Sequence, residues 1–158
     1  MEIRTMTDDD IESVLRLNAD SVWALSPLDD EGLRDQRASA AFALVCEIEG
    51  EVAAFALAYA PGTSYGSINY AWHSSRFDDF VYLDRIAVDP AFRRRGIAGA
   101  IYDAVEAGAR VRGRLVCEVY SEPPNVASLA FHASRGYREV GHLTQPNGHV
   151  TVMLERPL

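Results

Sequence analysis

The chain contains no lysine. All 15 basic residues are arginine, set against 23 acidic ones, for a formal net charge of -8. Without lysine there is no phosphate loop ending in Gly-Lys-Ser/Thr, so a Walker-type nucleotide site is excluded. The acidic balance argues against nucleic acid, which recruits basic faces. Cysteine is nearly absent as well. Cys46 and Cys117 stand apart in apolar, strand-like runs, so we expect buried thiols rather than a disulfide, and two cysteines alone make no zinc site. No metal is expected. No stretch reaches the roughly 18–20 apolar residues of a membrane span, and Met1 to Asp10 is too acidic for a signal peptide. The expectation is a cytoplasmic protein with no membrane role. Repeats, low-complexity segments and linkers are also missing. With 48% apolar residues in 158, the chain can form one domain over 1–158 with its own core.

What is present reads as alternating strands and helices. "EIRTM" (2–6) alternates like a strand, and Thr7 then caps a helix with Asp8, Asp9 and Asp10 in its first turn. A short helix is expected over about 29–37. "FALVCEIEGEVAAFALAY" (42–59) reads as a hairpin about Glu49-Gly50. Residues 60–79 read as a long loop carrying Tyr65, Tyr70, Trp72 and Phe77. "FVYLDRIAV" (80–88) is a strand. Ile97, Ile101, Val105 and Ala109 recur every four residues, which predicts an amphipathic helix from Gly96 to about Arg112. "LVCEVY" (115–120) is a further strand. Asn125 caps a helix that ends at Gly136, and two strands follow, at about 137–144 and 149–155. A strand-helix-strand unit between antiparallel hairpins implies a mixed α+β sheet.

Three adjacent arginines, Arg93, Arg94 and Arg95, precede Gly96 in this acidic chain. The first amides of a helix have no intrahelical acceptor, and that helix end is electropositive. Gly96, Ala98 and Gly99 let a phosphate oxygen approach the backbone. The stretch is either a pyrophosphate site over Arg94–Gly99 or a solvated basic turn.

The context is more specific. "YLDRIAVDPAFRRRGIAGAIYDAV" (82–105) resembles the strand, Arg/Gln-x-x-Gly-x-Gly/Ala turn and helix of the GNAT superfamily of acetyl-CoA-dependent N-acyltransferases. Arg93, Gly96 and Ala98 occupy the three motif positions. "NVASLAFHASRGYREVG" (125–141) is similar to that family's Asn-containing helix ending in Gly-Phe or Gly-Tyr. The resemblance implies a central mixed, mostly antiparallel sheet of about six to seven strands with flanking helices. It also implies acetyl-CoA as acyl donor. The backbone of Ile86, Ala87 and Val88 would pair with the pantetheine, and the pyrophosphate would lie on Arg94, Arg95, Gly96, Ile97, Ala98 and Gly99, with Arg93 also among the cofactor-binding residues. The Val88 amide would be the oxyanion donor.

Direct acyl transfer needs a base for the ammonium and a proton for the departing thiolate. Glu118, in mid-strand, is the candidate base, or else an outward-facing glutamate on a half-exposed sheet; Asp84 is its rival. His132 stands where many relatives carry a tyrosine. It can protonate the sulfur, bond the cofactor, or be structural. Asn125 can bond the pantetheine as well as cap its helix. Trp23, Tyr65, Tyr70 and Trp72, with Asp29, Asp30, Asp78 and Asp79 nearby, can cage a cationic amine or pack the loop. His73 reads as a surface residue. The expected activity is acetyl transfer to a primary amine of a small molecule or peptide; a non-catalytic CoA-binding module is the alternative. Edge strands near both ends suit a homodimer.

Overall fold

Strand β1 (Glu2–Thr5) is followed by a single tight turn at Asp8–Asp10 and then by helix α1 (Ile11–Ala19). The acidic turn does more than complement a helix end. Asp10 is buried, accepts from the Thr7 amide at 2.7 Å and pairs with Arg4 at 2.7 Å. The Arg4 hydrogen bonds hold its carboxyl down to about 2. Helix α2 (Asp30–Ser39) follows, its first turn capped by Asp29. Strands β2 (Phe42–Ile48) and β3 (Glu51–Tyr59) form the expected hairpin, in which Glu49 and Gly50 take positive φ values of 54° and 83°. Two such residues in succession match the right-handed twist of the flanking strands.

The segment expected to be a loop over 60–79 contains helix α3 (Ile68–Ser74). Its residues are poor helix formers, and the helix depends on a cap: Ser67 Oγ accepts from the amides of Asn69 and Tyr70. Strand β4 (Val81–Val88), helix α4 (Ile97–Ala109), strand β5 (Arg114–Glu122) and helix α5 (Val126–Ser134) come next, then strands β6 (Arg138–Thr144) and β7 (Val150–Pro157).

The computed structural model describes residues 1–21 and 23–158. Its seven strands lie in the order β1-β2-β3-β4-β5-β7-β6. All neighbours are antiparallel except β4 and β5. The α4 and α5 face buries Ile101, Tyr102 and Val105 against Ala54, Leu83 and Cys117. The opposite face buries Val14, Leu17, Leu33 and Tyr70 against Phe55, Leu57 and Tyr82. Cys46 and Cys117 are both buried free thiols. Among the described residues no helix is long and apolar enough to cross a membrane.

The parallel pair is short. Only Val81↔Leu115 and Tyr82↔Val116 are in register, although β4 runs on to Val88 and β5 to Glu122. Beyond Tyr82 the two strands part. On its other side β5 remains paired along its length with β7, where Glu118 faces Met153.

Candidate active site

The parting of β4 and β5 leaves backbone groups without a strand to meet. The Asp89 amide donates to Ala53 O at 2.9 Å, and Ala54 lies opposite Val88. Antiparallel pairs alternate between bonded and non-bonded. Ala87 therefore spends its amide and carbonyl on Phe55 of β3, whereas those of Ile86 and Val88 point into the opening. Ile86 and Val88 thus have backbone facing the opening and Ala87 does not, and the Val88 carbonyl there is met by Arg93 Nε at 3.4 Å.

At the end of this strand, Asp89 starts a one-turn helix at Pro90–Phe92, and the chain reverses through Arg93–Gly96 into α4. Arg94 and Gly96 both have positive φ, 61° and 78°. For Gly96 that conformation carries no steric cost. The helix begins at Ile97, and Ala100 is the first residue whose amide reaches back into the turn, to Gly96 O. The amides from Arg94 to Gly99 have no acceptor among the described residues. Arg93, Arg94 and Arg95 are exposed beside them. Six free amides and three guanidinium groups at one helix N-terminus make a receptive place for a diphosphate.

A cavity of about 540 Å³ occupies the opening. It passes through the sheet: Tyr102, Cys117 and His132 line it on the α4–α5 side, and Tyr65, Asn69, Asp84 and Glu118 on the other. Two reactants can approach from opposite faces and meet between the strands.

Glu118 anchors a hydrogen-bonded cluster on the second face. Its Oε1 accepts from Asn69 Nδ2 at 2.9 Å and lies 2.9 Å from Tyr82 Oη. Its Oε2 is buried with no partner among the described residues. Tyr82 Oη is also 3.0 Å from Asp84 Oδ1, and Tyr65 Oη donates to Asp84 Oδ2 at 2.6 Å. Gln145 Nε2 donates to Asn69 Oδ1 at 2.8 Å and so orients the amide that holds Glu118. Burial pushes the Glu118 carboxyl well above its usual range, and the nearby Asp84 adds to this against the hydrogen bonds from Tyr82 and Asn69. Burial raises Asp84 too, opposed by Arg85 and the two phenols. Arg85 itself is buried; it donates to Asn18 Oδ1, Ser26 O and Ser26 Oγ at 2.6–2.9 Å, which pins the α1–α2 segment as a cavity wall.

His132 lies in the wall opposite, buried and fully engaged. Its Nδ1 is 2.7 Å from the Ser128 carbonyl, which can only accept, so Nδ1 carries the proton. Nε2 accepts from Tyr102 Oη at 2.6 Å. Burial lowers its pKa, so the ring is neutral. In this arrangement neither nitrogen has a proton to spare for a thiolate. Asn125 caps α5 by accepting from the Ser128 amide at 3.2 Å, and it also reaches the cavity wall.

The other expected substrate residues are not gathered here. Trp23 is 64% exposed next to the wall residue Ala24. Asp29 accepts from the Gly32 amide as a helix cap, and Asp30 pairs with Arg34. Tyr70 is buried and donates to Ala60 O at 2.8 Å. Trp72 packs so closely on β6 that a Cβ at Gly141 would stand 2.6 Å from its ring. Asp79 pairs with Arg112, and Asp78 is exposed. Of the aromatic set, Tyr65 alone lines the cavity. His73 is not a surface residue: it is fully buried, between Trp72, Phe77 and Tyr82. Asn69, Tyr82 and Gln145, by contrast, had no distinguishing spacing in the sequence. The Ser67 cap, which begins α3 and so aims Asn69, was the one local signal.

The family model described as Acetyltransferase (GNAT) family matches residues 9–137. Among curated proteins none matches the chain. Ard1 from Thermoplasma volcanium is 20% identical with a TM-score of 0.80, covering 99% of this chain and 97% of its own. The ribosomal-protein-S18-alanine N-acetyltransferase from Escherichia coli is 18% identical, TM-score 0.72, with coverage of 99% and 92%. The ribosomal-protein-alanine N-acetyltransferase from Brucella melitensis is 22% identical, TM-score 0.68, with 100% of both chains covered. At such identities the likeness to these structures is one of fold.

Proposed function

Because the chain belongs to the acetyltransferase (GNAT) family, we propose that it transfers an acetyl group from acetyl-CoA to a primary amine of a small molecule or a peptide. The observation that carries this reading is the opening between β4 and β5, with free helix amides at one end and Glu118 inside it. The residues fit the donor. Six unpaired amides and Arg93, Arg94 and Arg95 suit its diphosphate, and the backbone of Ile86 and Val88 suits the amides of its pantetheine. Gly96 has nothing within 4 Å where a Cβ would stand, which leaves room for a phosphate oxygen. When bound, acetyl-CoA supplies an acyl group already activated as a thioester.

The chain's own residues supply position and proton handling. In this reading the Val88 amide, aimed into the opening, donates to the acyl oxygen. Glu118 takes a proton from the incoming ammonium, because an alkylamine near pKa 10.4 is almost wholly protonated at pH 7. The closed Tyr102–His132 pair favours departure of the thiolate without protein assistance; a thiol of pKa near 8.5 is a fair leaving group. The names of the Escherichia coli and Brucella structures make a peptide N-terminal amine the first acceptor to try.

The test is acetyl-CoA titration together with thiol release across a panel of amines that includes alanine-initiated peptides. We expect micromolar-range binding and amine-dependent release. Binding without release for any amine would leave a CoA-binding module instead of an enzyme.

A further inference from the structure

Tyr82 has one hydroxyl proton and two carboxylates to serve. Its Oη lies 2.9 Å from Glu118 Oε1 and 3.0 Å from Asp84 Oδ1. If both carboxyls were ionised, Tyr82 could donate to one, and the other contact would set two lone pairs face to face. One added proton removes the conflict. We propose that Asp84 and Tyr82 are positioning residues that keep a single proton on the Asp84–Glu118 pair and so set the pH at which Glu118 becomes a base. This rests on the reading of Glu118 as the base.

The surroundings decide where the proton resides. Asp84 accepts from Tyr65 Oη at 2.6 Å and lies 3.3 Å from Arg85 Nε. Glu118 has one neutral amide donor, Asn69, and an oxygen with no partner. The negative charge therefore settles on Asp84 and the proton on Glu118, whose hydroxyl donates to Tyr82 while Tyr82 donates to Asp84. Other titratable groups face this cluster from each side. From β4 there is Arg85, whose remaining bonds go to neutral acceptors on α1, α2 and the segment between them. From α3 there is His73, neutral because burial lowers its pKa to about 4. Tyr65 comes from the loop before α3, and burial raises its phenol. From the far face come Cys117, Tyr102 and His132, all uncharged at neutral pH. Beside β5 stand Tyr120 and His149, whose rings are in edge contact. Gln145 and Thr151 do not titrate. Arg85, held next to Asp84, is the arginine of this cluster among the described residues.

Two consequences follow. An ammonium can give its proton to Glu118 only after the resident proton has left, so the acid limb of kcat/KM reports the pair and not an ordinary glutamate. And Asp84 and Tyr82 act on that limb in the same direction. Removing the Asp84 charge makes Glu118 easier to ionise. Removing the Tyr82 hydroxyl takes away the acceptor of the Glu118 proton and the lone-pair conflict of the doubly ionised state, so it also makes Glu118 easier to ionise.

The experiment follows side-chain carboxyl carbons by NMR through a pH titration of the ligand-free protein labelled with ¹³C in Asp and Glu. Wild type is compared with Asp84→Asn, Tyr82→Phe and Glu118→Gln, and the acid limb of kcat/KM is measured beside it. One carboxyl should titrate above the usual carboxylate range and be missing in Glu118→Gln. Its midpoint should fall by about one pH unit or more in Asp84→Asn and fall by a smaller amount in Tyr82→Phe, the kinetic limb moving with it. A midpoint unchanged or raised in either variant would overturn the shared proton. If the NMR shifts occur while Glu118→Gln keeps full turnover, the shared proton stands and the base reading alone falls. All three replacements are nearly isosteric, and acetyl-CoA affinity reports whether the fold is retained.

Discussion

His132 Nε2 accepts a hydrogen bond from Tyr102 Oη at 2.6 Å, which joins α5 to α4 across the cavity wall. With Nδ1 spent on the Ser128 carbonyl, the imidazole is a buried strut. Tyr102→Phe leaves a buried acceptor unsatisfied and should cost about 1–3 kcal/mol, read as a lower midpoint in denaturant. The same change should leave the pH profile of turnover without a displaced limb. A profile that loses its basic limb in Tyr102→Phe would return a proton-donating role to this pair.

Glu118→Gln tests the proposed base. The amide keeps the size of the side chain and can still meet Asn69 and Tyr82. Acetyl-CoA affinity should be unchanged, and turnover at neutral pH should fall by about a hundredfold, within the usual range for loss of a general base. Raising the pH should restore part of the rate, because solvent then delivers free amine. Turnover within about threefold of wild type would move the base elsewhere.

Gly96→Val tests the diphosphate reading. The φ of 78° strains any L-residue, and a branched one most. Its Cβ would also occupy space now open to a ligand. Calorimetric titration should show acetyl-CoA affinity reduced at least tenfold, about 1.4 kcal/mol. Replacing Arg94 and Arg95 by Gln should weaken acetyl-CoA more than a pantetheine analogue without phosphates. Equal losses for the two ligands would indicate damage to the fold.

His73 gives a pH dependence of stability. Burial lowers its pKa to about 4, and neither ring nitrogen has a side-chain partner among the described residues. Below about pH 6.5 the unfolded chain takes up a proton that the folded one refuses, so stability falls with pH until about pH 4. His73→Phe should remove this component. The stability difference between the two proteins should change by up to about 3 kcal/mol between pH 7 and pH 4, in favour of the variant at the acid end. Urea denaturation at several pH values measures it. A constant difference would mean that His73 is protonated in the fold.

Much of this architecture is written locally. The hairpin at Glu49-Gly50, the four-residue recurrence in α4 and the cap at Asn125 each need only a few neighbouring residues, and each appears where the sequence put it. Strand alternation likewise puts Glu118 on the face opposite Cys117. The α3 segment reads as loop in the sequence because Asn69, Tyr70, Trp72 and His73 have low helix propensity, and tertiary packing of Tyr70 and His73 overrides it. The substrate residues expected from the sequence are aromatic and acidic side chains that lie close together along the chain. Proximity along the chain does not say which side chain caps a helix, as Asp29 does, or packs on a glycine, as Trp72 does. The Glu118 cluster joins α3, β4, β5 and the turn near Gln145, so only the folded sheet brings its members together.

A ladder that stops after Tyr82↔Val116 divides the sheet mechanically. Strands β1–β4 form one plate and β5–β7 another, clasped by two register pairs and by the helices packed across them. A molecule that bonds to the exposed edges of both plates takes the place of the absent rungs. Such a ligand resists the separation of the plates as well as filling a hole, so hydrogen exchange should slow along β4 and β5 far beyond the atoms it touches. On the proposed function, the gap that admits the reactants is also the place where their binding stiffens the whole sheet.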